Sequence, residues 1–343
     1  MKYDFRVEIL RNYVKIGEIR TESVLIRYNN GSEVMRGIQL DMKDVKMDAP
    51  DLSFEMFKDR IRPVLIQDDR EDPLGVYMVM AAPETVSDVE KYVSIEGYDE
   101  TMLVKQAAFE SREYYAAGTK YLTIIQQLLT ALNLPNVYVE DDESTLAADL
   151  EVAVGKNCLT FINELLDALN YQHLYADLTG TLQIRKIVNP TEPQFIYRDG
   201  SAFNIVPPIK VGTDIYSLPN VVIGVYSSPD QSSPTVYKEV NDDAESIIST
   251  VNRGYKVVKK VELRSSASAE ALEEYVKRIA FESMQSTEQV MFTTLAESGH
   301  EPSTALQLDT EAVKGLYIEK EWEMRISQND FSMSHTAERK VFV

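Results

Sequence analysis

Residues 206–225 (VPPIKVGTDIYSLPNVVIGV) constrain the fold most, because they separate two runs of strand-like sequence. The pair Pro207-Pro208 interrupts the chain, since a residue that precedes proline is biased away from helix. Pro219 then precedes an apolar run at residues 221–225 that is typical of a buried strand. We interpret this run as the strand that opens a second β module. An ordinary buried strand between two loops is the alternative interpretation.

The composition indicates a globular chain with a strongly acidic surface. Its 343 residues are enough for two to four modules, and 44% of them are hydrophobic. There are 35 Lys and Arg against 55 Asp and Glu, which gives a formal charge of −20 and argues against a surface that neutralises phosphates. No apolar run approaches the length of a membrane span, and the charged N-terminus predicts no signal peptide.

Residues 1–105 are predicted to form a first β module. Hydrophobic residues alternate with charged ones from Tyr3 to Ile9, which is the period of a half-buried strand. Further strand patterns occupy residues 22–28, 34–40, 60–67, 76–82 and 92–98. A turn at 29–31, a short helical turn at 53–57 and a polar loop at 68–75 are expected to separate them. Short strands divided by turns favour a sandwich or a small barrel.

Residues 106–200 are predicted to form an α+β middle domain. Apolar residues recur at helical spacing over 121–132, with Thr119 as the expected N-cap, and again over 161–169. The second helix leads into strand patterns at 171–176 and 182–187 around a Thr179-Gly180 turn. Both helical stripes are interpreted as faces packed on a sheet.

Residues 201–226 and 286–343 are predicted to form a second β module, with residues 227–285 as a partly inserted segment. The segment has loop composition at 227–233, a strand pattern at 257–263 and a helix that Ser268 is expected to cap. The closing strands are expected at 290–295, 318–326 and 333–343. The predicted class is therefore α+β and β-rich, with two barrel-like or sandwich β modules, an α+β middle domain and an inserted helix-containing segment.

No residue pattern in the chain predicts catalysis, a cofactor or a metal. The single cysteine, Cys158, lies in an apolar helical pattern and is interpreted as a buried packing residue. The histidines, His173, His300 and His335, are isolated in the sequence, and surface or interface packing is expected for His335. We therefore expect no catalytic, cofactor-binding or metal-binding residues.

Two acidic runs and a few aromatic residues were considered as binding sites. Residues 140–143 and 68–72 lack the alternating acids and central glycine of a calcium loop, which favours solvated loops. The single tryptophan, Trp322, and the tyrosines are too dispersed to predict a carbohydrate platform. Packing in a core or a subunit interface is the preferred interpretation for Trp322, Tyr114, Tyr115 and Tyr226.

The order of these parts resembles the hub proteins of phage tails and related contractile particles. That family also includes the N-terminal part of tail-associated lysins and the base of type VI secretion spikes. The resemblance spans nearly the whole chain and is carried by segments RIRPVLI (60–66), PLGVYMV (73–79), VSIEGYDE (93–100), the middle helix pair, LYADLTGTLQI (174–184), YSLPNVVIGVY (216–226), GLYIEKEWEMRI (315–326) and FSMSHTAERKVFV (331–343).

The resemblance implies a non-catalytic structural virion protein in the baseplate or tail tip. It implies a homotrimer whose six β modules form a ring, matching a tail tube or distal tail protein hexamer on one face and a threefold spike or fibre on the other. A tape measure protein is a further expected partner, DNA would pass through without specific binding, and assembly would take place in the host cytoplasm. An acidic channel wall would keep DNA from adhering, although acidic surface also simply aids solubility.

Two other functions remain alternatives to the hub. One is a cell-wall hydrolase or endopeptidase acting at host entry, and the other is a host-surface carbohydrate-binding tail protein. No residue pattern specifically favours either of them.

Overall fold

A computed structural model describes residues 2–43, 55, 58–81, 84–86, 91–134, 136–188, 190–199, 205–226, 234–263 and 269–341. The chain divides into two compact units. The first comprises residues 1–208 and 292–336, and the second comprises residues 209–291 and 337–343. Strands predominate over helices among the described residues, so the predicted β-rich α+β class is confirmed. The four-part division drawn from the sequence stays a prediction.

The helices and strands follow one another in three stretches of sequence. The N-terminal stretch contains β1 (Tyr3–Arg11), β2 (Val14–Ile19), β3 (Ser23–Asn29), β4 (Arg36–Lys43), β5 (Asp59–Gln67), β6 (Arg70–Pro73), β7 (Tyr77–Ala81), β8 (Glu84–Val86) and β9 (Lys91–Tyr98). The middle stretch contains α1 (Thr101–Gln106), β10 (Glu113–Tyr115), α2 (Tyr121–Ala131), β11 (Val137–Val139), β12 (Leu150–Val152), α3 (Cys158–Ala168), β13 (Tyr175–Ala176), β14 (Leu182–Ile184) and β15 (Phe195–Arg198). The last contains β16 (Val206–Asp214), β17 (Val221–Tyr226), β18 (Thr235–Val240), α4 (Thr250–Arg253), β19 (Val258–Leu263), α5 (Ala269–Ser283), β20 (Ser286–Leu295), β21 (Ala305–Asp309), β22 (Lys314–Ser327) and β23 (Phe331–Val341).

A long sheet organises the first unit. Its strands follow the order β22, β3, β4, β9, β7, β5, β1, β2, and each neighbouring pair is antiparallel. Alternation places Val7 and Ile9 of β1 in one apolar core. Trp322 of β22 lies opposite Tyr28 of β3 in the register and stacks on it with ring centroids 5.8 Å apart. The core therefore joins the two ends of the sequence.

The middle residues of the first unit form a separate apolar core. Helices α2 and α3 contribute Ile125, Leu129, Phe161 and Leu166 to it. The small sheet β11–β14–β13 supplies Leu182 and other apolar residues from the opposite side. Asn157 caps α3, since its side-chain oxygen accepts a hydrogen bond from the Thr160 amide. These contacts confirm that both helical stripes are packing faces.

The second unit contains the three-stranded sheet β18–β17–β19 and the helix α5 packed on it. Val222 of β17 lies in a core with Leu272, Val276 and Ala280, which recur along α5 at helical spacing. The strand predicted at 257–263 and the helix predicted in the inserted segment are both confirmed by β19 and α5.

Several local predictions are wrong. The residue at the N-cap of α2 is Lys120 instead of Thr119. The polar stretch 68–75, predicted as a loop, contains strand β6, which pairs with β5. The Pro207-Pro208 pair lies within β16 and does not end a structural element.

Some predictions fall on residues outside the described ranges. These are the loop at 227–233, the capping role of Ser268 and, apart from Glu55, the helical turn at 53–57. Among the described residues, no helix has the length and apolar character needed to cross a membrane.

Candidate functional site

The most distinctive polar feature of the first unit is a buried cluster of His300, Glu319 and His335, here called the His–Glu–His cluster. Glu319 lies on β22 and His335 on β23, which is the neighbouring strand after a tight turn. His300 lies in the segment between β20 and β21. All three side chains are almost completely inaccessible to solvent. Burial of three titratable groups is costly unless they satisfy one another.

Glu319 bridges the two histidines with its two carboxylate oxygens. Its Oε2 lies 2.7 Å from His300 Nδ1, and its Oε1 lies 2.6 Å from His335 Nδ1. An ionised carboxylate can only accept hydrogen bonds, so each Nδ1 carries a proton and donates it to Glu319.

The second ring nitrogen of each histidine contacts a hydroxyl group. His335 Nε2 lies 2.8 Å from Thr294 Oγ1, and His300 Nε2 lies 3.3 Å from Tyr197 Oη. All four nitrogens of the two imidazoles therefore have a polar contact inside the protein.

Aromatic rings fix the planes of both imidazoles. Phe195 stacks on His300 at a centroid distance of 4.0 Å and an interplanar angle of 11°. Phe292 stacks on His335 at 4.7 Å and 15°. These stacking contacts and the hydrogen bonds at the ring edges fix the orientation of each imidazole, so that each Nδ1 points towards Glu319.

Burial and the contacts within the cluster shift the pKa values of its members. Burial by itself would raise the pKa of Glu319, but the charge of His300 and the two imidazole hydrogen bonds outweigh it and lower the pKa to about 2. Burial lowers the pKa of His335, against the opposing effect of its hydrogen bond to Glu319. Burial and the nearby Glu297 raise the pKa of Tyr197, which keeps its phenol protonated. The cluster therefore presents an ionised carboxylate between two imidazoles.

The interpretation of the histidines as isolated is wrong for His300 and His335. His335 is also buried, contrary to the expected surface or interface position. Met333, His335 and Ala337 alternate along β23, and this spacing predicts that all three face the same side of the sheet. All three side chains are buried. No spacing motif relates His300 to the other two residues. The third histidine, His173, is partly exposed and lies 3.1 Å from Asp167.

The cysteine and the acidic runs lie away from this cluster in sequence. Cys158, the first residue of α3, is buried as expected, and burial raises the pKa of its thiol. In the run 140–143, Glu140 accepts a hydrogen bond from the Lys186 amide and Asp142 accepts one from the Ser144 amide. In the run 68–72, Glu71 pairs with Arg6 of β1. These carboxylates thus serve loop and sheet contacts.

The aromatic residues considered from the sequence occupy different environments. Trp322 is buried in the main core, and Tyr115 stacks on Phe161 with centroids 6.1 Å apart. Tyr114 is exposed and contacts Asp149. Core packing is therefore confirmed for Trp322. Tyr226 is the last residue of β17.

The main sheet presents a second, solvent-facing side that we call the polar face, formed by alternate residues of β22, β3, β4 and β9. Among its described side chains, the acidic ones are Asp41, Glu96, Glu321 and Glu323, and the basic ones are Arg27 and Arg325. Arg27 Nε donates to Glu323 at 2.9 Å, and Asp41 accepts from Ser94 at 2.9 Å. Carboxylates outnumber cations among the residues of this surface whose side chains the structure describes, so that part of it carries excess negative charge.

The fold of the chain is recognised by comparing its structure, and not its sequence, with those of known proteins. No protein-family model matches the sequence, and no curated protein matches it either. The chain is similar to a tail protein from Neisseria meningitidis MC58, with a TM-score of 0.68, 11% identity, and coverage of 98% of this chain and 96% of that one. It is equally similar to the 43 kDa tail protein of prophage MuSo2 from Shewanella oneidensis, with a TM-score of 0.68, 9% identity and 98% coverage of both chains.

A third similar structure comes from a secretion system. It is an Escherichia coli protein described as a component of the type VI secretion system with structural similarity to the T4 bacteriophage tail proteins gp27 and gp5. Its TM-score is 0.52 at 8% identity, covering 98% of this chain and 76% of that one. The similarity in all three cases extends across both units of the chain. We conclude that this chain has the fold of phage and prophage tail proteins, as the resemblance in its sequence implied.

Proposed function

We propose that the protein is a structural component of a phage or prophage tail, the trimeric hub of its baseplate or tail tip. The hub would join a hexameric tail tube or distal tail protein to a threefold spike or fibre. The observation that supports this most is the similarity of almost the entire chain, 98% of it, to two tail proteins at a TM-score of 0.68. A shared fold over the full length is consistent with a shared place in the particle.

The proposal assigns the chain a mechanical role without catalysis. Two β modules per chain, at residues 1–105 and at 201–226 with 286–343, would give a trimer six positions around its axis. A ring of six positions can meet a sixfold tube on one side and a threefold tip on the other. Closing the ring would also cover sheet edges that otherwise expose backbone donors and acceptors. A tape measure protein would be a further neighbour, and assembly would precede incorporation into the tail in the host cytoplasm.

The same proposal gives the polar face a role in DNA passage. Three chains of −20 carry a formal charge of −60. Carboxylates such as Glu96 and Glu321 on the polar face would repel the phosphates of passing DNA. DNA would then slide through the hub without being held.

The solution mass of the purified protein tests the hub directly. One chain has a mass of 38.9 kDa, so light scattering should give three times that value, 116.7 kDa, over a range of protein and salt concentrations. Negative-stain images of the same sample should show threefold symmetry and a central opening. A protein that stays monomeric at concentrations of about 100 µM, or that forms a closed dimer, would contradict the trimeric hub.

A further inference from the structure

We propose that the His–Glu–His cluster binds one divalent transition-metal ion of the zinc class as a structural metal. This inference is independent of the role in the tail. It concerns only residues of the first unit.

The donor atoms already converge. One ligand atom from each of His300, Glu319 and His335 lies within 4.8 Å of the other two. Each imidazole faces a different oxygen of Glu319, so two imidazole nitrogens and one carboxylate group converge. Imidazole and carboxylate together suit zinc and its neighbours, whereas calcium and magnesium prefer ligand sets made only of oxygen.

The surroundings match the outer layer of a metal site. Metal-bound histidines usually donate their other ring nitrogen to a fixed partner, which orients the ring. Here Thr294 Oγ1 contacts His335 Nε2 and Tyr197 Oη contacts His300 Nε2. Phe195 stacks on one face of His300 and Phe292 on one face of His335, and both imidazoles are buried. These contacts fix the donors in place and keep them away from solvent, which suits a retained metal ion.

Metal binding requires a small and defined rearrangement. The two Nδ1 hydrogens now lie between nitrogen and carboxylate at separations of 2.6 and 2.7 Å. Around a tetrahedral ion with bonds of about 2.0–2.1 Å, ligand atoms lie about 3.3 Å apart. Each Nδ1 hydrogen would leave, or would move to Nε2 and be donated to the neighbouring hydroxyl oxygen. Each nitrogen and its carboxylate oxygen would move apart by about 0.6 to 0.7 Å.

The ion would connect three successive segments of the chain within residues 300–335. Glu319 and His335 belong to β22 and β23, and His300 belongs to the segment before β21. An ion that binds the folded chain and not the unfolded one stabilises the fold by mass action. At a free metal concentration about a hundredfold above Kd, the melting temperature of the first unit should rise by about 5 °C.

Metal content of the untagged full chain is the primary test. Protein from a zinc-supplemented culture should contain one zinc per chain by inductively coupled plasma mass spectrometry. Unfolding with a chelator and refolding with Zn²⁺ should restore that content and the melting temperature, while refolding with Mg²⁺ should not. Refolding with Co²⁺ should give the visible absorption of a tetrahedral nitrogen and oxygen site.

Two histidine variants provide the matched comparison. His335→Gln should lose the metal, whereas His173→Gln changes an exposed histidine and should keep one zinc per chain. If His335→Gln does not fold, the Co²⁺ spectrum of the wild type still decides the matter. Less than about 0.1 zinc per chain after both culture and refolding, with no response of the melting temperature, would overturn the proposal and leave a purely hydrogen-bonded cluster.

Discussion

Glu8 is a buried acid in the middle of β1 that is surrounded by cations. Its Oε1 accepts from Arg6 Nε at 2.8 Å and lies 3.0 Å from Lys15 Nζ. Its Oε2 accepts two hydrogen bonds from Arg62, at 2.8 and 2.6 Å. Burial would raise the pKa of Glu8, but the hydrogen bonds from Lys15, Arg6 and Arg62 outweigh it and lower the pKa to about 2.

This depressed pKa makes stability depend on acidity in a predictable direction. The folded value of about 2 lies below the ordinary value of 4.5, so the stabilisation is present above pH 4.5 and is lost as pH falls towards 2. We expect Glu8→Gln to cost about 2 kcal/mol at pH 7 and almost nothing at pH 2. Urea unfolding can be followed by the fluorescence of Trp322, the single tryptophan, which lies in the same core as β1.

Glu18 provides the control for this prediction. It lies opposite Glu8 in the register of β1 and β2 and also contacts Lys15, but it is partly exposed. Glu18→Gln should therefore cost less than about 1 kcal/mol at either pH. Equal costs for the two substitutions at pH 7 would show that the burial of Glu8 contributes nothing.

The sequence contained part of the information about individual site residues. Alternation along β23 was enough to place His335 on a buried face, because Met333 and Ala337 flank it at a spacing of two. It could not place His300, whose position depends on the path of a connecting segment. Contact between His300 and Glu319 is a product of tertiary structure, so neither composition nor spacing predicted the cluster.

At the scale of elements, strong periodic patterns were reliable and polar strands were not. Helix α5 and strands β1, β9 and β22 follow directly from apolar periodicity of 3.6 or 2. Strand β6, with the sequence REDP, has low intrinsic strand preference and forms because β5 supplies backbone partners. Strand β16 accommodates two prolines at the end of its sheet, where a missing N–H group costs little.

Gly224 determines how closely α5 approaches β17. A methyl group there would overlap Val276 Cγ2 and lie 3.0 Å from Leu272 Cδ1. Both neighbours belong to the buried side of α5, so overpacking should cost about 2 kcal/mol. In Gly224→Ala, we expect amide hydrogens of α5 to exchange about 30-fold faster, as measured by mass spectrometry.

Gly212→Ala is the corresponding control in the same unit. A methyl group at Gly212 has no atom within 4 Å, so exchange in α5 should stay unchanged. Unchanged exchange in both variants would mean that α5 tolerates displacement from the sheet.

At the scale of the whole molecule, the arrangement of the chain was the part least accessible to sequence analysis. Each unit draws on two separated parts of the sequence: the first on residues 1–208 and 292–336, and the second on residues 209–291 and 337–343. Pairing of β3 with β22 joins residues almost 300 positions apart, as between Asn29 and Glu321. Local patterns predict each strand, but they carry no information about which distant strand becomes its neighbour.

The proposed DNA passage yields a prediction for complete tails. Glu96→Gln combined with Glu321→Gln removes two negative charges per chain from the polar face. We expect tails to assemble normally and DNA to leave about twofold more slowly, because phosphates would adhere more readily to the wall. The measurement is the rate of dye-accessible DNA release after triggering with receptor.

A control with the same change in charge separates the wall from overall electrostatics. Asp242→Asn with Glu245→Gln also removes two charges, from exposed positions in the second unit. Release should keep its original rate in that variant. If the wild type and both double variants release DNA at the same rate, that result would count against an electrostatic role of the polar face.

The pairing of β3 with β22 also has a consequence for synthesis of the protein. A ribosome makes about 5 to 20 residues per second, so roughly 15 to 60 s pass between the emergence of Asn29 and that of Glu321. Throughout this time β3 lacks its final neighbour, and its free edge can pair with other nascent chains. In a cell that makes many copies of the chain at once, the yield of folded protein would then depend on chaperones that shield this edge until translation is almost complete.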